Sequence, residues 1–105
     1  MSQIPKRYLK FKENYADVAT AYESMGSAVH DAGPIDEKTR ALIKLAISTG
    51  ARLEGAVHSH VRKAVSAGAS NEEMRQVALL ALPTIGFPSM MAALSWIDDI
   101  SEGIK

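Results

Sequence analysis

Apolar positions recur at intervals of three and four residues along most of the chain, and no stretch alternates with period two long enough to nominate a strand. Tyr15, Val18, Tyr22, Met25 and Val29 predict a helix of about four turns with a narrow apolar seam, ending before Gly33-Pro34. Asp36 is placed to cap a second helix that runs to about Ser48. Leu42, Ile43, Leu45, Ala46 and Ile47 cover more than one of its faces, and such a helix needs more than one neighbour to bury it. In so short a chain one of those neighbours is expected to be another subunit. After the turn Thr49-Gly50-Ala51-Arg52, the residues Val57, Val61, Ala64 and Val65 mark the apolar stripe of a central helix that stops at Gly68.

Ser70 and Glu73 form a capping box that opens the next helix, continued by Met74, Val77, Ala78 and Ala81 and broadened by Leu79, Leu80 and Leu82. Pro83 removes a backbone donor, so this helix kinks or ends there. Gly86-Phe87-Pro88 breaks the chain again, and Pro88 suits the first turn of a last helix carrying Met90, Met91, Leu94 and Ile97. Upstream, Met1 to Asn14 reads as a basic arm that packs Tyr8, Leu9 and Phe11 and leaves its lysines in water. The expected fold is all-α, a single domain over residues 1–105 with about five to six helices.

Composition narrows the classes of function. The length of 105 residues fits one domain that buries roughly two-thirds of its unfolded surface. A formal net charge of zero argues against a nucleic-acid-binding module, whose footprint is a basic surplus. No apolar run has the length of a membrane span, and the basic N-terminal stretch lacks the apolar block of a signal peptide. The expected setting is therefore the cytoplasm. The absence of cysteine excludes a disulfide framework, a thiolate metal site and thiol redox chemistry.

Candidate chemistry gathers on the central stretch, Leu53-Glu54-Gly55-Ala56-Val57-His58-Ser59-His60-Val61-Arg62-Lys63. At roughly 100° per residue, His58 and His60 point about 160° apart, so they cannot chelate one ion from one helix face. Leu53, Ala56 and His60 flank one edge of the apolar stripe, and Glu54 and His58 flank the other. Each half-site needs partners from elsewhere in the fold or from another subunit.

The same stretch resembles the core of the carboxymuconolactone decarboxylase family, which includes the AhpD-like alkylhydroperoxidases. There a helix typically opens Cys-x-x-Cys and carries a histidine four residues after the second cysteine. His60 matches that histidine, and His-Val-Arg-Lys-Ala reads like the family's continuation. Leu53 and Ala56 stand where the cysteines would be, and Ala41 stands where the peroxidase branch often has a relay glutamate. The resemblance runs from about Asp36 to Ile97 and includes Gly86-Phe87-Pro88. It implies an AhpD-like helical bundle assembled as trimers or hexamers.

Two readings are open for His60: a proton carrier, since histidine titrates near neutrality, or a core histidine bonded to a backbone carbonyl. Glu54 and His58 form a second pair in which a carboxylate holds an imidazole across one turn and assists catalysis, or simply stabilises the helix. The same two side chains can donate to a divalent metal, with a further ligand supplied by His30 or a neighbouring subunit. His30 itself also fits a plain dipole-complementing role at a helix end. Arg52 is the candidate for an anionic substrate's carboxylate, with Leu53, Ala56, Phe87 and Met90 as candidate substrate-binding residues. Asp98, Asp99 and Glu102 lie near the end of the last helix, where three acids could bind a metal, and the plainer reading is a solvated tail.

Two functions compete on these residues. One is acid–base chemistry by His60, with Glu54 or His58 assisting, on a small anionic organic molecule such as a lactone acid. The other is a peroxidase relative stripped of thiol activity that serves as a non-catalytic or metal-binding helical oligomer. No cofactor is expected apart from a divalent metal at Glu54 and His58. The expected partners are further copies of the chain and a small ligand, with no nucleic acid and no membrane. His60 is expected to face a hollow lined by Leu53, Ala56 and residues near Gly86 to Met91.

Overall fold

The computed structural model describes residues 4–102, which contain seven α-helices and no strand. Contacts divide them into two compact units, residues 4–35 and residues 36–102. No described helix is long and apolar enough to cross a membrane.

The first unit is a helical hairpin of α1 (Lys6–Asn14) and α2 (Ala16–His30). The basic arm is therefore helical from Lys6 onward, while residues 1–3 lie outside the described part. Aromatic side chains three and four residues apart organise it. The ring centroids of Tyr8 and Phe11 lie 6.2 Å apart, and those of Phe11 and Tyr15 lie 6.0 Å apart. Tyr8 donates its hydroxyl to Glu23 at 2.8 Å, and Lys12 pairs with the same carboxylate at 3.2 Å. Both contacts hold the Glu23 carboxyl below its ordinary range. Beyond Tyr15, the apolar seam of α2 is left largely open. Val18, Tyr22, Met25 and Val29 are each more than half exposed, and only Ala19 is buried.

The second unit holds the core. Asp36 caps α3 (Glu37–Gly50) by accepting from the Thr39 backbone N–H at 3.2 Å and its hydroxyl at 2.6 Å. Leu45 is fully buried on this helix, whereas Ile43 and Ile47 stand out in solvent. Ser48 and Thr49 tolerate burial because each hydroxyl donates back to a carbonyl three residues earlier, Leu45 at 2.7 Å and Ala46 at 2.8 Å.

The central helix, α4 (Glu54–Ser66), buries Val57, Val61 and Ala64 completely, so the stripe is the core face. It packs against α3, α5 and α7. Gly68 takes a φ of +95°, a conformation glycine adopts without strain, and there the chain closes the helix with Ala69 N–H donating to Ala64 at 2.9 Å.

The capping box is formed as the sequence indicates, with Glu73 N–H donating to Ser70 Oγ and Ser70 N–H donating to Glu73 Oε1. The helix it opens, α5 (Asn71–Leu79), stops short of Pro83. Pro83 instead sits in the first turn of a one-turn helix, α6 (Leu82–Ile85), where its missing donor is not needed. Gly86, at φ +102°, turns the chain into α7 (Phe87–Ser101), with Pro88 in its first turn. Met90, Ala93 and Ile97 of α7 face inward, and Met91 is exposed.

Leu45, Val57, Val61, Ala64, Met74, Ala78, Ala93 and Ile97 form one aliphatic cluster shared by α3, α4, α5 and α7. The acids of the last turns of α7 are paired while Asp99 and Glu102 stay exposed to solvent. Arg75 holds Asp98 at 2.9 Å and reaches Glu102 at 3.7 Å, and His58 lies 3.2 Å from Asp99. Ile97 is wholly enclosed, so Ile97→Ala should cost about 2–5 kcal/mol in denaturant unfolding. A loss below about 1 kcal/mol would contradict the packing described.

Candidate functional site

The turn between α3 and α4 sets the site. Arg52 adopts φ +60°, a left-handed conformation uncommon for a residue with a Cβ. Its N–H donates to Thr49 at 3.0 Å, and the Leu53 N–H donates to Ser48 at 3.1 Å. The chain thus reverses within three residues and brings the C-terminal turns of α3 beside the N-terminal turns of α4. Arg52 itself points its guanidinium at Ser89, donating from Nη1 at 3.2 Å.

Between the two helices lies a hollow of about 250 Å³ lined by Lys44, Ile47, Ser48, Ala51, Leu53, Ala56 and His60. Each wall is one helical edge. Lys44, Ile47, Ser48 and Ala51 recur at i, i+3, i+4 and i+7 on α3 and its cap, and Leu53, Ala56 and His60 recur at i, i+3 and i+7 along α4. The lining is mainly aliphatic, with one imidazole and one ammonium.

His60 is the perturbed group of this hollow. Burial pushes its pKa down from 6.5 to about 4, and the nearby ammonium groups of Lys63 and Lys44 push in the same direction. Its Nδ1 is buried and has no hydrogen-bond partner, so the core-histidine arrangement with a carbonyl on that nitrogen is not present. Lys44 is depressed as well, by burial first and then by the charges of Lys63 and Arg40. An imidazole held neutral beside ammonium groups favours an incoming anion.

The predicted site residues separate into three places. His60, Leu53 and Ala56 line the hollow. Phe87 and Met90 do not: Phe87 is exposed at the start of α7 and Met90 is buried in its inner face, so α3 supplies the wall expected from residues 86–91. Arg52 is not among the lining residues, and the cation at the hollow is Lys44. Glu54 and His58 lie on the other side of α4, where His58 Nε2 is 3.2 Å from Asp99 Oδ2. One ligand atom from each of Glu54, His58 and Asp99 fits within 4.8 Å of the others. Asp99 therefore stands where the sequence reading looked for His30 or another subunit. A wider hollow of about 920 Å³ follows α1, but one helix cannot enclose a ligand there.

Lys44 escaped the sequence reading although its signal was present. Its spacing to Ile47, Ser48 and Ala51 mirrors Leu53, Ala56 and His60, but only the reversal at Arg52 turns the two edges toward each other.

The described residues form an all-helical bundle, and the chain holds no cysteine. Residues 16–99 match the carboxymuconolactone decarboxylase family, and the chain belongs to that family. A carboxymuconolactone decarboxylase family protein from Legionella pneumophila, solved in its apo form, superposes with a TM-score of 0.80 at 26% identity, covering 94% of this chain and 88% of that one. A Burkholderia xenovorans LB400 protein classed with the carboxymuconolactone decarboxylases shares the fold at a TM-score of 0.69 and 19% identity, over 96% and 82% of the two chains. An uncharacterized protein of Haemophilus influenzae is 32% identical over 63 residues, which is 60% of this chain and 56% of that relative. The chain thus spans little more than half of that relative's length.

The depressed pKa carries a stability consequence. In the unfolded chain His60 binds a proton near pH 6.5, and in the fold only near pH 4. Its contribution to stability is present above pH 6.5 and is lost as the pH falls from there to about 4. Allowing for screening at the open side of the hollow, the loss is about 2 kcal/mol. Denaturant unfolding at pH 7 and pH 4 should show that difference in the native protein and lose most of it in His60→Gln. Equal pH dependence of the two proteins would contradict the buried neutral imidazole.

Proposed function

We propose that the hollow between α3 and α4 binds a small, largely apolar organic anion and that His60 performs acid–base chemistry on it. The observation that carries this reading is the neutral, half-buried His60 imidazole, with Nδ1 enclosed and unpartnered, lining a mostly aliphatic hollow beside Lys44. Leu53, Ala56, Ile47 and Ala51 contact the carbon skeleton, and Lys44 pairs with the carboxylate. A base with a pKa of about 4 is weak at neutral pH. A bound carboxylate offsets the Lys44 and Lys63 charges and moves His60 toward the range where a general base works best. His60 then accepts a proton from a carboxyl group of the bound acid other than the one on Lys44, and as carbon dioxide leaves that group the proton passes to the carbon whose C–C bond has broken. A lactone acid of the kind the family name describes is the first substrate to test, and the reading places the protein in the cytoplasm.

Thiol-dependent peroxide reduction has no nucleophile here, because the chain holds no cysteine. Glu54 and His58 lie away from the hollow, so the reading assigns the catalytic role to His60 alone. The exposed seam of α2 and, separately, Ile43 and Ile47 of α3 support self-association into a homo-oligomer, trimer or hexamer, since exposed apolar surface marks contact sites.

Turnover of carboxymuconolactone and related lactone acids, followed by release of carbon dioxide, tests the proposal. His60→Ala should lower kcat by roughly a hundredfold or more, the usual scale for a lost general base. Lys44→Met should act chiefly on KM, because it removes the charge that holds the substrate. Native turnover in His60→Ala would overturn the catalytic role. Ligand binding at the hollow without any turnover would favour the non-catalytic oligomer. Sedimentation should separately show a homo-oligomer at micromolar concentration, and a monomer there would contradict self-association.

A further inference from the structure

We propose that Glu54, His58 and Asp99 form a binding site for a divalent transition-metal ion that clamps α4 to α7. The three side chains converge from two helices, with one ligand atom of each inside a 4.8 Å span. His58 Nε2 and Asp99 Oδ2 are already 3.2 Å apart. Two ligands on a tetrahedral ion with bonds of about 2.0–2.1 Å stand roughly 3.3 Å apart, so this edge needs almost no adjustment. Glu54 lies one helical turn before His58, and its carboxylate is exposed. Asp99 is also about half exposed. Both carboxylates can therefore close the remaining distance by rotation, without disturbing the core.

The donor set selects the ion. One imidazole nitrogen with two carboxylate oxygens suits zinc, cobalt or manganese, whereas magnesium and calcium prefer oxygen alone. Water fills the open positions on the solvent side. Arg75, the cation beside this stretch of α7, is turned to Asp98 and Glu102 and leaves the Asp99–His58 edge accessible. The site is separate from the hollow because His58 and His60 leave α4 about 160° apart. Its success or failure is therefore independent of the catalytic reading.

The test uses the full chain stripped of metal and titrated calorimetrically with zinc, then with cobalt followed by visible absorption. The expected result is one saturable site per chain in the micromolar range. At a hundredfold excess of zinc over the dissociation constant, the melting temperature should rise by about 5 °C or more. His58→Ala should abolish both effects, and Asp99→Asn should weaken binding on the order of tenfold or more. Circular dichroism on each variant separates lost binding from lost folding. Absence of saturable binding below millimolar zinc, or native binding by folded His58→Ala, would overturn the proposal.

Discussion

Three side chains of one helix, Val57, Val61 and Ala64, are wholly enclosed, and most of the remaining architecture follows from how they are covered. Their stripe is met by α3, α5 and α7, so α4 cannot rotate about its axis without exposing it. That fixed rotation decides the chemistry. Positions flanking the stripe on one side become Leu53, Ala56 and His60 facing α3, and positions flanking it on the other become Glu54 and His58 facing α7. Each histidine is half-sheltered by a different neighbour, and the aliphatic core lies between them.

The two edges carry opposite electrostatics. On the α3 side, His60 sits near Lys44 and Lys63 with no acid among the lining residues, so burial and repulsion both keep it neutral. On the α7 side, His58 sits with Asp99 and Glu54, where negative charge predominates. One helix thus carries a cationic edge and an acidic edge, although the chain as a whole has no net charge. Leu53 and Ala56 make the first face apolar without closing it.

Much of the helical framework was legible because its signals are local. The Asp36 cap, the Ser70–Glu73 box, the Gly68 stop and the placement of Pro88 each depend on residues within one turn, and all take those roles. The family likeness was legible from the His60 stretch. What escaped depends on pairs far apart in sequence. Lys44 joins the hollow only through the reversal at Arg52, and Asp99 reaches His58 across 41 positions. The helicity of α1 was missed although Tyr8, Phe11 and Tyr15 recur at helical spacing, because this short stripe is aromatic and set among basic residues. Phe87 and Met90 were misplaced because proximity to a chain break says nothing about which helix face the break presents. The seam of α2 shows the reverse case, a clear periodic signal whose apolar side chains remain exposed.

The surroundings of the His60 imidazole hold it neutral, and in the proposed function a bound anion relieves this. Nuclear magnetic resonance of the His60 ring across pH, with and without a saturating small dicarboxylate, measures it directly. The account predicts titration near pH 4 in the free protein and a rise of about one unit or more when the anion binds. A ring that titrates near the ordinary value of about 6.5 in the free protein, or one whose pKa does not move on saturation, would contradict it.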